Sequence, residues 1–310
     1  MGLAYAARIG AHMFGARAGF LSLLILATTP VYYGHMFNNP KDIPFAAMTV
    51  VALYYLIRSM DALRAPSWRA LGPLAVTIGL TMGIRVGGGI LLGYTAFFWA
   101  MQCRHQGTAI RPLVLPFLLV TLVAWATMVL FWPWAAINPL VHPLQALSHF
   151  SSHHLGEPSL FDGQLIDATH PPNAYLPYWF GVKLPEVYLL GWVAGVLAWI
   201  RRPTRLTMST ELILTAAFVP LLLAAVVVTA MYDGVRHYLF AVPPMAILAA
   251  GGLHHWVAGC ARRWMRWVVR VGVIGFVGWT VVDMATLHPA RAKRIFVVKT
   301  CVFSYVFRHV

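Results

Sequence analysis

The residues best suited to chemistry lie in three short segments, each rich in glycine, proline or asparagine and each carrying one cation. The first is Gly34-His35-Met36-Phe37-Asn38-Asn39-Pro40-Lys41-Asp42-Ile43-Pro44. Pro40 and Pro44 fix the backbone there, and Asn38, Asn39 and Asp42 are able to hydrogen-bond it as a tight turn. Lys41 suits the grip of a phosphate as a point charge, and Asp42 suits orienting that group, holding a metal or accepting a proton. The plainer alternative is a loop closed by a local Lys41–Asp42 ion pair. The second segment is Thr81-Met82-Gly83-Ile84-Arg85-Val86-Gly87-Gly88-Gly89. A guanidinium beside glycines leaves room for a bulky anion, and its fork matches phosphate oxygens; the alternative is a snorkelling arginine with glycines that serve helix packing. No GxGxxG spacing is present, so this is not a nucleotide fingerprint. The third is Tyr232-Asp233-Gly234-Val235-Arg236-His237-Tyr238, where Asp233 and Arg236 either pair with one another or help to surround an anion shared with the other two segments.

The histidines are weaker candidates. Neighbouring side chains on a helix diverge by about 100°, so His153-His154 and His254-His255 are badly placed to chelate one ion. His149 and His153 have the i, i+4 spacing, but Phe150 stands where an HExxH motif needs its glutamate. The three cysteines, Cys103, Cys260 and Cys301, show no CxxC spacing and read as small apolar helix residues. Asp42 with an outer carboxylate such as Asp162 is an oxygen donor set for Mg²⁺ or Mn²⁺, the one cofactor option the sequence leaves open.

The elements that must hold these segments are membrane helices. Only 10% of the 310 residues are charged and 60% are hydrophobic, and the mean hydropathy is +0.71. A water-facing body of this size needs about a quarter of its residues charged, which excludes a cytosolic enzyme and a disordered chain alike. About nine apolar runs are long enough to read as spans: Ala18 to Phe37, Phe45 to Met60, Ala70 to Ile84, Gly88 to Cys103, Leu113 to Trp132, Glu186 to Ile200, Thr210 to Met231, Tyr238 to Gly259 and Trp267 to Ala285. The fold class expected is all-α, a polytopic transmembrane bundle with one long outer-face loop, about 133–185. That loop holds five histidines among many prolines and aromatics, and it reads as one or two short helices lying along the membrane. The domain division expected is 1–289 for the membrane domain and 290–310 for a short basic tail.

The formal charge of +14 is a topology signal before it is anything else. Arg8, Arg17, Arg58, Arg64, Arg69, Arg104, Arg111, Arg201, Arg202, Arg205, Arg262, Arg263, Arg266 and Arg270 fall in one set of connections, whereas only Lys41, Arg85, Lys183 and Arg236 fall in the alternate set. Short cytoplasmic loops retain Lys and Arg, so the second set faces outward, along with seven of the nine carboxylates (all but Asp61 and Glu211). The cations are scattered between apolar runs rather than gathered on one face, which argues against a nucleic-acid partner.

At these residues the chain resembles the GT-C superfamily of membrane glycosyltransferases, in particular bacterial proteins similar to dolichyl-phosphate-mannose protein mannosyltransferases and to the transferases that place aminoarabinose on lipid A. The resemblance rests on GHMFNNPKDIPFA, GLTMGIRVGG, WPWAAINPL with FDGQLIDA and YLPYWFGVKLPE, and DGVRHYLFAVPP. It implies a multi-pass protein of the bacterial inner membrane whose active face is periplasmic. Such a protein takes a hexosyl or pentosyl group from a polyprenyl-phosphate donor and passes it to a hydroxyl of an acceptor lipid, polysaccharide or protein. It also implies that Lys41, Arg85, Arg236 and His237 contact the donor phosphate, with Asn39 and Asp233 supporting them and Asp42 the candidate catalytic acid or base. Two departures stand against the pattern. Family members begin with a further span and an outer loop that carries the basic carboxylate, whereas the first acid here is Asp42; and after His288-Pro289 the chain reads Ala290-Arg291-Ala292-Lys293-Arg294 in place of a Tyr- and Asn-bearing segment. The expectation is therefore a fragment of a transferase, with the activity of the isolated chain left open. A polytopic transporter and a non-catalytic scaffold are the competing readings; a transporter places its ionisable groups and helix breaks near the midplane and carries an internal repeat.

Overall fold

The computed structural model describes residues 1–63, 66–152, 158–167, 171–201, 206–226, 234–260 and 263–287. Its helices are α1 (Gly2–Phe14), α2 (Ala16–Ala27), α3 (Pro30–Asn38), α4 (Asp42–Asp61), α5 (Trp68–Ile84), α6 (Ile90–Gln106), α7 (Val114–Phe131), α8 (Pro133–Ile137), α9 (Val141–Ser152), α10 (Tyr175–Lys183), α11 (Glu186–Arg201), α12 (Met208–Val226), α13 (Val242–Gly259) and α14 (Arg263–Leu287). Single 3₁₀ segments, Val86–Gly89 and Arg236–Ala241, lead into α6 and α13. The nine apolar runs are helical over their described residues except at Thr28-Thr29, where the first is broken, and at Trp132. Three stretches are long and apolar enough to cross a bilayer unaided, Asp42–Asp61, Val86–Gln106 and Arg111–Phe131, and the number is five when each of two bent helix pairs is taken as one span.

Both bends have local causes. Between α2 and α3 the axis turns by 62°, because Pro30 opens α3 and disfavours helical geometry at Thr29. Hydroxyl donors cover the last carbonyls of α2: Thr28 donates to the Leu24 carbonyl at 2.8 Å, beside its own backbone N–H at 3.0 Å, and Thr29 to that of Ile25 at 2.7 Å. Between α10 and α11 the turn is 107°, at Leu184-Pro185. The bends meet inside the bundle, where the buried Tyr188 hydroxyl and the Thr29 hydroxyl are 2.7 Å apart.

Small residues set the closest helix contacts. A Cβ on Gly191 of α11 would lie 2.6 Å from the Ala249 Cα of α13, and one on Gly79 of α5 would lie 2.6 Å from the Thr127 Cβ of α7. Backbones that approach this far leave no room for a side chain, the usual means of close helix packing in lipid. Bulk fills the rest of the core: Trp99, Tyr32, Tyr175, Tyr188 and Phe98 are fully buried. The indole of Trp99 donates to the buried Ser59 hydroxyl at 2.9 Å. On the outside of the bundle α7 presents Leu115, Leu118, Leu122 and Leu130, a face that suits hydrocarbon.

Three expectations need correction. A helix, α1, precedes the first expected span; it forms a hairpin with α2 about Gly15, whose φ is +93°. Arg8 therefore lies within a helix, its guanidinium 4.8 Å from the Tyr5 ring centroid, and not in a cytoplasmic connection. The first expected span, Ala18 to Phe37, is two helices and not one. In the outer loop, α8 and α9 are short helices as expected, but it also holds an antiparallel hairpin, β1 (Pro158–Phe161) with β2 (Gln164–Asp167). Its turn is Asp162-Gly163, both residues with positive φ, the geometry of a tight two-residue hairpin turn. The loop also holds α10, whose Tyr175, Leu176, Tyr178, Trp179, Phe180 and Val182 are all buried. The expected basic tail, 290–310, is outside the described residues.

Candidate functional site

The site is built on Asn39. Its side-chain oxygen accepts the backbone N–H groups of Asp42 at 2.9 Å and Lys41 at 3.3 Å, satisfying donors that the first turn of α4 would otherwise leave open. Its amide then donates to the Asp42 carboxylate at 2.7 Å and to His35 Nδ1 at 3.3 Å. Asn39 and Asp42 are both buried, at 6% and 2% exposure. Asp42 thus stands rigidly at the head of α4, and a carboxylate so buried requires counter-charges.

Two arginines from distant parts of the chain supply them. Arg85, at the C-terminal end of α5, reaches the Oδ1 of Asp42, and Arg236, at the start of the 3₁₀ segment before α13, donates from Nε to Oδ2 at 2.9 Å. Arg85 also donates from Nη1 to His237 Nδ1 at 3.3 Å, so His237 carries any proton of its neutral ring on Nε2. Arg85 is largely buried, with 17% of its side chain exposed, whereas Arg236 is 38% exposed. One buried N–H of Arg85, at Nε, has no partner among the described residues. Two guanidiniums on one carboxylate gather positive charge around a buried acid.

The structure therefore joins Asn39, Asp42, Arg85, Arg236 and His237 in one cluster. Lys41 is exposed beside it, at the position before α4, and Asp42 pairs with the two arginines rather than with this neighbour. Asp233 lies outside the described residues, as do His153 and His154. Asp162 sits in the hairpin turn and does not join Asp42, whose oxygens are taken by guanidinium and amide donors. That donor set fits an anion and not Mg²⁺ or Mn²⁺, and among the described residues no three His, Cys, Asp or Glu side chains gather into a metal site.

Two parts of the site escaped the sequence reading. His35 was merely part of a motif there, but it fixes the Asn39 amide. Tyr175 of α10 accepts the Gly234 N–H at 3.1 Å and hydrogen-bonds the Ser159 hydroxyl of β1 at 2.8 Å. It thereby ties the outer hairpin to the turn that delivers Arg236. A buried tyrosine in an aromatic run gives no sign of such a partner.

Fold and site together define a multi-pass integral membrane protein with an ionic cluster at the ends of its helices. Comparison with known proteins narrows the class. Residues 1–134 match the family model for dolichyl-phosphate-mannose-protein mannosyltransferase. The crystal structure of ArnT from Cupriavidus metallidurans bound to undecaprenyl phosphate matches over 98% of this chain, with a TM-score of 0.57 and 15% sequence identity. The chain spans 58% of the length of that protein. No curated protein matches the chain. The chain is thus similar to the GT-C membrane glycosyltransferases, and its fold is the polytopic helical fold of ArnT.

Proposed function

We propose that the chain is a polyprenyl-phosphate-dependent glycosyltransferase of the bacterial inner membrane, and that Arg85 and Arg236 hold the donor phosphate at its periplasmic face. The observation that carries this reading is the Asp42–Arg85–Arg236 cluster: two guanidiniums on one buried carboxylate, with an unused N–H on Arg85. The family match and the ArnT fold, in a protein whose crystal structure holds undecaprenyl phosphate, support the same ligand class.

In the reaction the bond between sugar C1 and the phosphate oxygen breaks, and its electron pair stays on the phosphate. The acceptor oxygen bonds to C1 and gives up its proton to a base. Charge therefore grows on the phosphate in the transition state, and a fixed guanidinium in a low-dielectric cavity stabilises it by roughly 2 to 4 kcal/mol per contact. Lys41, exposed next to Asp42, supplies a flexible third cation. Asp42 already accepts from Arg85, Arg236 and Asn39, so in this reading it positions the cations and is not the proton acceptor. His237 orients Arg85. The rare charges stand at helix ends and not at the midplane, which favours a transferase over a transporter.

Membranes holding the full chain are incubated with a radiolabelled polyprenyl-phosphate sugar. The expected result is label passing to an acceptor lipid, polysaccharide or protein, and its loss in Arg85→Gln. Label retained on the carrier but bound to the protein would leave the phosphate site standing and remove the transferase; neither binding nor transfer would overturn both.

A further inference from the structure

Two further arginines stand toward the other end of the helices. Helix α1 runs beside α4 in the same direction: a Cβ on Gly2 would lie 3.2 Å from the Ala47 Cα, the Tyr5 and Tyr55 hydroxyls are 3.2 Å apart, and His12 Nε2 lies 3.7 Å from the Asp61 carboxylate. Arg8 falls between Tyr5 and His12 on α1, and Arg58 between Tyr55 and Asp61 on α4. The two cations therefore share one level, between a tyrosine pair and a His–Asp pair. Residues three or four apart on a helix are neighbours on its surface, and Tyr5–Arg8, Arg8–His12, Tyr55–Arg58 and Arg58–Asp61 all have that spacing. The Arg8 guanidinium rests on the Tyr5 ring at 4.8 Å. Both arginines are exposed. Among the described residues neither forms an ion pair, because Asp61 meets His12 instead. From Asp42 to Arg58 the axis of α4 rises about 24 Å, at about 1.5 Å per residue, so in a hydrocarbon core of about 30 Å this level lies in the leaflet opposite the Asp42 cluster.

We infer that Arg8, Arg58 and the Tyr5–Tyr55 pair bind the phosphate of an anionic phospholipid in that opposite leaflet. An exposed guanidinium on an apolar helix surface is costly unless an anion answers it, and guanidinium forks match phosphate oxygens. Here two helices bring one fork each to the same depth. In the tyrosine pair one hydroxyl donates to the other, which leaves one O–H to donate outward. The inference goes beyond the proposed function and does not depend on it, since the site lies at the far end of α4 from Asp42 and takes a bulk membrane lipid in place of a sugar donor.

The test is thermal unfolding of the purified full chain in nanodiscs of phosphatidylcholine with increasing phosphatidylglycerol. Wild type is expected to gain Tm with a saturable dependence on phosphatidylglycerol. The phosphatidylglycerol fraction at half the full gain is expected to rise about fivefold in Arg8→Gln and likewise in Arg58→Gln. The control, Arg104→Gln with Arg111→Gln, removes two exposed cations at the turn between α6 and α7 and is expected to leave that half-point within about twofold of wild type. An unchanged half-point in either arginine variant overturns the inference. So does an equal rise in the control, which would mark surface charge without a site. Inorganic phosphate that reproduces the gain in phosphatidylcholine alone overturns it as well, because the ligand would then be a free anion. A variant that melts lower in phosphatidylcholine yet keeps its half-point marks a packing role, and wild type with no gain at all removes the site outright.

Discussion

Replacing Asp42 by asparagine tests the core of the site with almost no change in shape. The carboxylate takes Arg85 on Oδ1 and both Arg236 and Asn39 on Oδ2. An asparagine has one acceptor oxygen, and its NH₂ must face donors on whichever side it occupies, so at least one arginine loses its acceptor. Hydrogen bonds to charged groups are worth about 1.5–3 kcal/mol each, and removing one partner of a buried pair costs about 3–5 kcal/mol. The Arg85 side is largely shielded from water and takes most of this, while Arg236 is partly solvated and takes less. We expect Asp42→Asn to lose about 3 kcal/mol of stability, a fall in Tm on the order of 6–10 °C, measured by thermal unfolding in nanodiscs. A phosphate then answers the charge that the carboxylate has left, so undecaprenyl phosphate should raise the Tm of Asp42→Asn more than that of wild type. A variant that melts within about 1 °C of wild type would mean that Asp42 does not hold the arginines, and an equal or smaller ligand shift would mean that the phosphate does not sit on them.

Other positions test the frame around the site. Ser59→Ala leaves the buried Trp99 indole N–H without its acceptor and should cost about 1–3 kcal/mol, read from denaturant unfolding in detergent; no measurable loss would mean that the indole finds another partner. Gly191→Leu forces α11 off α13 and should lose about 1–3 kcal/mol or more by overpacking, seen as a lower Tm and poorer recovery of folded protein. Of the two outer cations flanking Asp42, Arg85→Gln should weaken undecaprenyl phosphate binding far more than Lys41→Gln, because one guanidinium is buried and fixed and the other cation is an exposed, mobile ammonium; equal losses would place the phosphate outside the cluster.

Much of this was legible in the sequence because charges are rare in it. With so few of them among apolar runs, Arg85 and Arg236 stood out at span ends, and hydropathy marked most of the helices. The pairing was not legible: Asp42 meets Arg85 and Arg236 across 43 and 194 residues, and local spacing favoured Lys41 as the nearer partner of Asp42. The helix α1 was missed because its 13 residues include Arg8 and His12, too short and too polar for a hydropathy window. The outer hairpin did leave a signal. Asp162-Gly163 between PSLF and QLID is the two-residue turn signature, but the surrounding prolines and aromatics drew the reading toward interfacial helices. The burial of α10 was not legible either, since buried and interfacial aromatic runs have one composition and differ only in what covers them.

What covers α10 explains why the site is rigid on one side and adaptable on the other. Asp42, Asn39 and Arg85 are fixed by helix ends within the bundle, so their geometry is set by the packing of α4 on α5. Arg236 arrives instead on a short turn, and that turn is held by the Tyr175 hydroxyl, the Gly234 conformation and the outer hairpin through Ser159. In the proposed function this turn is a second layer that sets Arg236, while Arg85 and Asp42 are already in place. Loosening the layer without touching a charge, as Tyr175→Phe does by removing one hydroxyl, should therefore lower affinity for undecaprenyl phosphate by freeing Arg236, with Arg85 and the bundle's Tm little changed. A large fall in Tm with unchanged affinity would instead make Tyr175 part of the bundle's stability and leave the position of Arg236 to Asp42 alone.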